Sequence, residues 1–228
     1  MPQSARLSHK TAAGFAAVVV GALAYNNWLL GHWLNPAMFK ANGSVSEFSV
    51  SSQPHYWVFR LLDIISGMLL VAAAWLFINH FGPSRAGRWL LILTAILGLA
   101  NIADAISTLP CSETLSRRCQ VPVSLSLSHY QVPAHGYSST VIAFCYFFLP
   151  LAGLLWAGRQ RLWPVVAISA VVLADALTSL GLAIANYLNS HSLSVRTSGA
   201  GQEIEMSLLA VWLIVSYLYA ARLPAKGT

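Results

Sequence analysis

The chain has 228 residues and a net charge of +6, with 57% hydrophobic and only 9% charged residues. A soluble domain has about 25% charged residues, so this composition, with a mean hydropathy of +0.63, excludes a water-soluble globular protein. The length leaves room for one helical bundle and no separate soluble domain, and residues 1–228 are therefore expected to form a single domain.

Six apolar runs follow one another along the chain, each about as long as a helix that crosses a bilayer. They predict an all-α integral membrane protein built as a bundle of six transmembrane helices. The first run is expected to be a retained helix, because it is longer than the apolar part of a signal peptide and no A-x-A site follows it. The predicted spans are 11–34, 56–81, 89–106, 137–157, 162–188 and 204–221.

Basic residues occupy every second connection between these spans. Lys and Arg concentrate in cytoplasmic loops, so both termini are expected in the cytoplasm and the loops at about 35–55, 107–136 and 189–202 outside. The basic excess therefore indicates topology, and no nucleic acid partner is expected despite a pI near 9.5. The pairs are Arg6 with Lys10, Arg85 with Arg88, Arg159 with Arg161, and Arg222 with Lys226.

The first outer loop places Glu47 among small hydroxyl residues and leads into a span that carries Arg60 and Asp63. Arg60 and Asp63 are three residues apart, so they share a helical face and are close enough to pair. A structural ion pair and the binding of an anionic headgroup by Arg60 are two open interpretations.

The stretches SVSEFS and QPHYWVFRLLDIISG in this region resemble the bacterial six-helix membrane family called domain of unknown function 998. That family is similar, more distantly, to the six-helix Sfk, DRAM and GPI-anchor-remodelling proteins. The resemblance implies six helices, an outer polar face and the cytoplasmic membrane of a bacterium, and it implies no established reaction. Further residues that fit the family pattern are Asp104, Pro110, Cys111, His135, Ser139 and an acid that opens the sixth span, Glu203 or Glu205.

Cys111 and Cys119 lie in one outer loop with seven residues between them, whereas Cys145 is alone inside the fourth span. A disulfide between the two loop cysteines is expected, and it requires an oxidising compartment. A metal-binding pair is the alternative, although the spacing is not CxxC. The disulfide would restrict the freedom of a long loop.

Polar residues inside the spans point to a site, because charges in hydrocarbon are costly unless they are paired or hydrated. Asn101 and Asp104 share a face of the third span. Asp175, near the middle of the fifth span, is expected to face the bundle interior. It either ties helices together through a hydrogen bond or lines a cavity that opens outward.

Histidines concentrate at the predicted outer face, but no HxxxH or HExxH pair accompanies them, so no metal site and no cofactor are assigned. We single out His135, which begins a helix with serines in its first turn. The histidines at this face are His32, His55, His129, His135 and His191.

A hydrolytic set would use Ser139 as the nucleophile, His135 as the base and Asp104 to orient the base. The spacing i, i+4 brings the serine and the histidine within reach. The sequence HGYSS lacks the strained turn of a nucleophile elbow, and a serine at a helix start is commonly a cap. A metal-dependent variant would use His135, Asp104 and Glu47.

Two functions follow from these residues, and the sequence leaves open whether the protein is an enzyme. The favoured one is a membrane module whose outward-facing cavity binds a lipid headgroup or supports a membrane-protein partner. The alternative is an outer-leaflet lipid hydrolase or transferase. Asp104 and His135 are expected to face the cavity, with these ligand-binding residues around it: Glu47, Arg60, Asp63, Asn101, Asp175 and Glu203.

Overall fold

The computed structural model describes residues 8–81, 84–116, 119, 134–188 and 199–223, and within these ranges the chain forms helices and no strands. The prediction of an all-α protein is therefore confirmed. Four short helices or 3-10 turns, Asn27–Leu30, Gly31–Leu34, Pro36–Lys40 and Val45–Ser49, precede the second long helix. The long helices are α1 (His9–Tyr25), α2 (Tyr56–Leu76), α3 (Arg85–Ile106), α4 (Ala134–Gln160), α5 (Trp163–Leu188) and α6 (Gly199–Arg222).

Helices α2 to α6 each contain a stretch long and apolar enough to cross a membrane. The predicted first span is not one straight helix, because α1 meets the segment Asn27–Leu34 at an angle of 48°. The bend coincides with two buried asparagines: Asn26 ends α1 and donates to the Ala22 carbonyl oxygen, and Asn27 donates to Asp63. By length and composition, the described chain therefore has five helices that could cross a membrane, or six candidate spans if the bent pair is one span.

Several helix ends differ from the predicted spans. Helix α2 ends at Leu76, five residues before the predicted 81, and α3 begins at Arg85, where the Ser84 hydroxyl accepts a hydrogen bond from the Gly87 backbone. Helices α4 and α6 begin before the predicted 137 and 204. Hydropathy marks the apolar part of a helix, whereas capping and backbone hydrogen bonding decide where it ends.

The six long helices form a closed ring, because each packs on the next and α6 packs on α1. Helices α2 and α3 approach most closely at Gly67 and Gly98, where a Cβ on either residue would overlap the carbonyl oxygen of the other. Such glycines allow backbone-to-backbone packing that side chains would prevent.

The two ends of the ring differ in their filling. At the end that carries Arg85 and Arg159, here called the basic end, aromatic rings fill the interior. Phe81 lies 4.8 Å from Trp156 and 5.0 Å from Tyr217 between ring centroids. The opposite end, where α3 finishes and α4 begins, contains a cavity and is here called the cavity end.

The orientation of the bundle can be tested with single cysteines at its two ends. Ser52 lies in an exposed turn before α2, at the cavity end, and Gln160 is the exposed last residue of α4, at the basic end. Because basic connections remain in the cytoplasm, a membrane-impermeant maleimide added to intact cells should label Ser52→Cys. It should label Gln160→Cys only after the membrane is permeabilised. The reverse pattern would refute the predicted orientation.

Candidate functional site

A cluster of polar side chains joins the last turn of α3 to the first turns of α4. Asp104 Oδ1 accepts hydrogen bonds from the hydroxyls of Ser138 (2.6 Å) and Ser139 (2.9 Å). His135 Nδ1 lies 3.1 Å from the same oxygen. Ser139 Oγ is also 3.4 Å from His135 Nε2, as the i, i+4 spacing requires. The structure thus brings together the three residues predicted as a hydrolytic set.

The direction of the hydrogen bonds makes Asp104 the centre of this cluster. The contact between His135 Nδ1 and Asp104 is close enough for an ion pair but does not have hydrogen-bond geometry. A hydroxyl has one proton to donate, and the shorter contact of Ser139 is the one to Asp104. In this arrangement the Ser139 proton is directed to the carboxylate and away from the histidine.

A cavity of about 610 Å³ opens beside this cluster and is lined by residues of all six long helices. Asp104 and Ser139 are on its wall, whereas the buried His135 lies behind them. Asp63 from α2 and Glu205 from α6 add two more carboxylates. Among the described lining residues there is no Lys, Arg or His, so the cavity wall is acidic.

The rest of the cavity wall is largely aromatic and apolar. Thr140, Phe144 and Phe148 follow one face of α4, and Leu180 extends the wall on α5. Phe144 is 59% exposed, and Phe148 and Leu180 are also exposed. Side chains that line the cavity and are exposed on the bundle show that it reaches the outer surface on the α4 and α5 side.

The short helix Val45–Ser49 covers the cavity and contributes Val45, Ser46 and Ser49 to its lining. Its Val45 N–H donates to the Gln202 side chain on α6 over 2.8 Å. This segment, here called the roof, thereby connects the first long connection to the last helix.

Glu47 holds the roof from the side that faces away from the cavity. Its carboxylate accepts hydrogen bonds from the backbone N–H and hydroxyl of Ser44, from the Ser112 hydroxyl, and from the backbone N–H and hydroxyl of Thr114. Ser112 and Thr114 follow Cys111, which forms the predicted disulfide with Cys119. Glu47 therefore joins the roof to the disulfide-closed loop.

The sequence placed Glu47 on the rim of the cavity, but Glu47 is not among the residues that line it. Within the described ranges it also forms no metal-holding group with His135 and Asp104. Burial raises the pKa of Glu47, but the hydrogen bonds from Ser112, Thr114 and Ser44 outweigh it, so the pKa lies below its usual value. A buried carboxylate with this many donors is a structural anchor.

Arg60 does not form an ion pair with Asp63, which was one of the two interpretations that the sequence left open. Its guanidinium donates to the Ser49 carbonyl oxygen (2.8 Å) and the Thr108 hydroxyl (2.7 Å) and lies 4.8 Å from the centre of the Tyr56 ring. Arg60 thus holds the roof in place together with Glu47, and it is not part of the cavity lining.

Asp63 instead belongs to a network of amides next to the bend after α1. Its carboxylate accepts a hydrogen bond from Asn27 (2.6 Å), and its backbone oxygen accepts one from Asn101 (3.1 Å). Both Asp63 and Asn101 line the cavity, and their role in ligand binding stays a prediction. The i, i+3 spacing permits a pair between Asp63 and Arg60. It does not reveal that Asn27, which is distant in the chain, lies close enough to donate to Asp63 instead.

Asp175 accepts a hydrogen bond from the Tyr146 hydroxyl over 2.6 Å, which ties α5 to α4. This is the helix-tying arrangement that the sequence left open, and Tyr146, not Asp175, lines the cavity. Of the two acids that open α6, Glu205 lines the cavity and Glu203 does not. Residues two apart on a helix point about 200° apart, so only one of them can face inward.

Sequence reasoning missed the roof, the α4 face and Tyr25. The spacing of Thr140, Phe144 and Phe148 was the available signal for the α4 face. His129 and His191 lie outside the described residues, and His32 and His55 do not line the cavity. Within the described ranges, no group of three or more His, Cys, Asp or Glu residues is arranged to hold a metal ion.

The Glu47 anchor predicts a pH-dependent loss of stability in Glu47→Gln. The substitution places an amide donor against existing donors and removes the charge, which should cost about 1–3 kcal/mol of unfolding free energy at pH 7. Because the folded-state pKa is below the unfolded value near 4.3, the carboxylate stabilises the fold above that value. That contribution is lost as the pH falls through the folded-state pKa.

Thermal unfolding of the detergent-solubilised protein should therefore show a lower midpoint for Glu47→Gln at pH 7 and a smaller difference at about pH 4 or below. Glu203→Gln, which changes a glutamate outside this network, is the control. An equal difference at both pH values would contradict an ionised anchor.

Comparisons with known proteins give one family. Neither the curated proteins nor the solved structures contain a match to this chain, so the more distant likeness to Sfk and DRAM proteins stays a prediction. The family described as "Protein of unknown function (DUF998)" matches residues 15–221, nearly the whole chain. The residues that line the cavity lie throughout the matched region. This multi-pass membrane protein therefore belongs to the DUF998 family.

Proposed function

We propose that this protein binds a membrane lipid in the cavity, with the headgroup at Asp63, Asp104 and Glu205 and the hydrocarbon chain along α4 and α5. The observation that carries the proposal is the cavity's composition. One side is polar and acidic, and the other is aromatic and continues to the outer surface at Phe144 and Leu180. A ligand with a polar head and an apolar tail matches both parts.

The exposed side of the cavity supports entry from the bilayer. Phe144, Phe148 and Leu180 lie on helices with membrane-spanning composition, so their exposed surface is where hydrocarbon chains would surround the bundle. The roof lies across the cavity on the side of the loops. With the basic connections in the cytoplasm, the headgroup part of the site would face the outer leaflet.

Filling the cavity should abolish lipid binding. Ala143 lines the cavity, and Ala143→Trp would place an indole in the space assigned to the chain. A phosphatidylethanolamine with a diazirine in its acyl chain should label the wild type on α4 and α5 after irradiation. Labelling of the cavity-lining positions should be much weaker in Ala143→Trp than in the wild type, as measured by peptide mass mapping, and only the labelling of the outer surface should remain.

Val171→Trp is the matched control for this experiment, because Val171 is exposed on α5 outside the cavity lining. Both variants must elute as the wild type does in size-exclusion chromatography. Equal labelling of Ala143→Trp and wild type would show that the lipid contacts only the outer surface, and it would refute the proposed binding site.

Lipid hydrolysis or transfer is a second candidate, favoured by the contact of 3.4 Å between Ser139 Oγ and His135 Nε2 with Asp104 on the other ring nitrogen. Ser139 lines the cavity, so its hydroxyl is accessible to a bound ester. Catalysis would require the Ser139 proton to turn from Asp104 to His135. The resting hydrogen bonds favour binding over this chemistry.

A fluorophosphonate probe separates the two candidates. If Ser139 is a nucleophile, the probe should label the wild type, and Ser139→Ala should abolish the label. Ser138→Ala is the control, because Ser138 also donates to Asp104 but lies outside the cavity lining. Wild-type protein that remains unlabelled would eliminate the hydrolase and leave lipid binding intact.

A further inference from the structure

We infer that the lipid bound by this cavity has a cationic nitrogen headgroup, the chemical class of long-chain amines and alkylammonium amphiphiles. The inference rests on the proposed function and adds the charge of the ligand. It follows from the carboxylates on the cavity wall, from the basic side chains that do not reach the cavity, and from the aromatic rings that line it.

Three helices each direct one carboxylate to the same cavity: Asp63 on α2, Asp104 on α3 and Glu205 on α6. Placing carboxylates together in a partly dry interior is costly unless a positive charge or hydrogen bonds compensate for them. Asn27 donates to Asp63, Ser138 and Ser139 donate to Asp104, and Ser179 donates to Glu205. These neutral donors orient the carboxylates but leave the wall without a compensating cation.

The basic side chains nearest in sequence are used elsewhere. Arg60 is directed to the Ser49 carbonyl oxygen and the Thr108 hydroxyl, and His135 lies behind Asp104, outside the lining. Among the described residues, therefore, no basic group of the chain enters the cavity. A headgroup with a net negative charge would meet carboxylates with no basic partner, whereas an ammonium group would supply the missing charge.

Tyr25 is an independent sign of a ligand in the cavity. Tyr25 is 5% exposed and lines the cavity. None of the hydrogen bonds among the described residues uses its hydroxyl, which is not enclosed by protein atoms and faces the space of the cavity. Buried phenol groups normally have a partner. A headgroup placed among the three carboxylates would supply one.

Aromatic rings complete an environment suited to an organic cation. Tyr25, Phe144, Tyr146 and Phe147 line the same cavity as the carboxylates, and the faces of aromatic rings attract ammonium groups. The volume of about 610 Å³ also suits a headgroup with part of its chain. A bare metal ion would instead require several oxygen ligands at about 2.0–2.6 Å.

The test uses three photoreactive probes that share one hexadecyl chain with a diazirine and differ only in the headgroup: trimethylammonium, phosphate or maltoside. The full-length protein is reconstituted in bilayers of neutral digalactosyl diacylglycerol, so that the bulk lipid offers no competing ammonium group. We expect the ammonium probe to label α4 and α5, and the phosphate probe to label them at least about tenfold less.

Variants then test whether the carboxylates of the cavity wall cause the preference for the ammonium probe. Glu205→Gln should weaken labelling by the ammonium probe about tenfold, the usual size of one lost charge-assisted contact, and leave the maltoside probe unchanged. Glu203→Gln is the matched control on the same helix, two residues away and outside the lining, and it should behave as the wild type does. The comparison within one probe cancels differences in partitioning into the bilayer.

The outcomes separate this inference from the proposed function. Equal labelling by all three probes, or equal effects of Glu205→Gln and Glu203→Gln, would overturn the cationic headgroup while lipid binding stands. Stronger labelling by the phosphate probe would overturn it as well. Failure of every probe to label the cavity would overturn both the cationic headgroup and the lipid site.

Discussion

The buried carboxylate of Glu47 is the interaction on which the cavity end depends. It receives hydrogen bonds from its own short helix and from Ser112 and Thr114 in the loop after α3. Arg60 fixes the other end of the same short helix through the Ser49 carbonyl oxygen. The roof is therefore held from two sides by charged groups that do not touch the cavity, so Val45, Ser46 and Ser49 can cover it without contributing charge.

The packing of the helices differs between the two ends of the described bundle. Gly67 and Gly98 bring α2 and α3 into backbone contact in mid-bundle, and aromatic rings around Phe81 and Trp156 fill the basic end. At the cavity end, the polar side chains of α3 and α4 form hydrogen bonds with each other beside the cavity. The bundle thus has a dense aromatic interior at the basic end and, at the other end, a cavity with carboxylates on part of its wall and aromatic side chains on the rest.

Asp104 determines how the polar cluster can act. As the common acceptor for Ser138 and Ser139, it directs the Ser139 proton away from His135. The same oxygen lies 3.1 Å from His135 Nδ1, so a small change in donor direction would produce the order of contacts that a nucleophilic serine needs. The proposed lipid binding and the alternative hydrolysis would thus use the same cluster, and the direction of the Ser139 proton would distinguish them.

The sequence by itself determined the membrane class and the all-helical fold, which follow from the length of the apolar runs. It also predicted the loop disulfide, because two cysteines share one outer loop, and it placed Asp104 near the start of α4, because α3 ends and α4 begins at the same side of the bundle. It did not determine which acids share the cavity. Glu47 and Glu203 were expected there, but Glu47 turns to the loop and Glu203 lies on another face of α6 than Glu205. Only the tertiary structure decided these cases, since two of the residues that hold Glu47, Ser112 and Thr114, are more than 60 positions away in the chain, and the rotation of a helix is set by its neighbours.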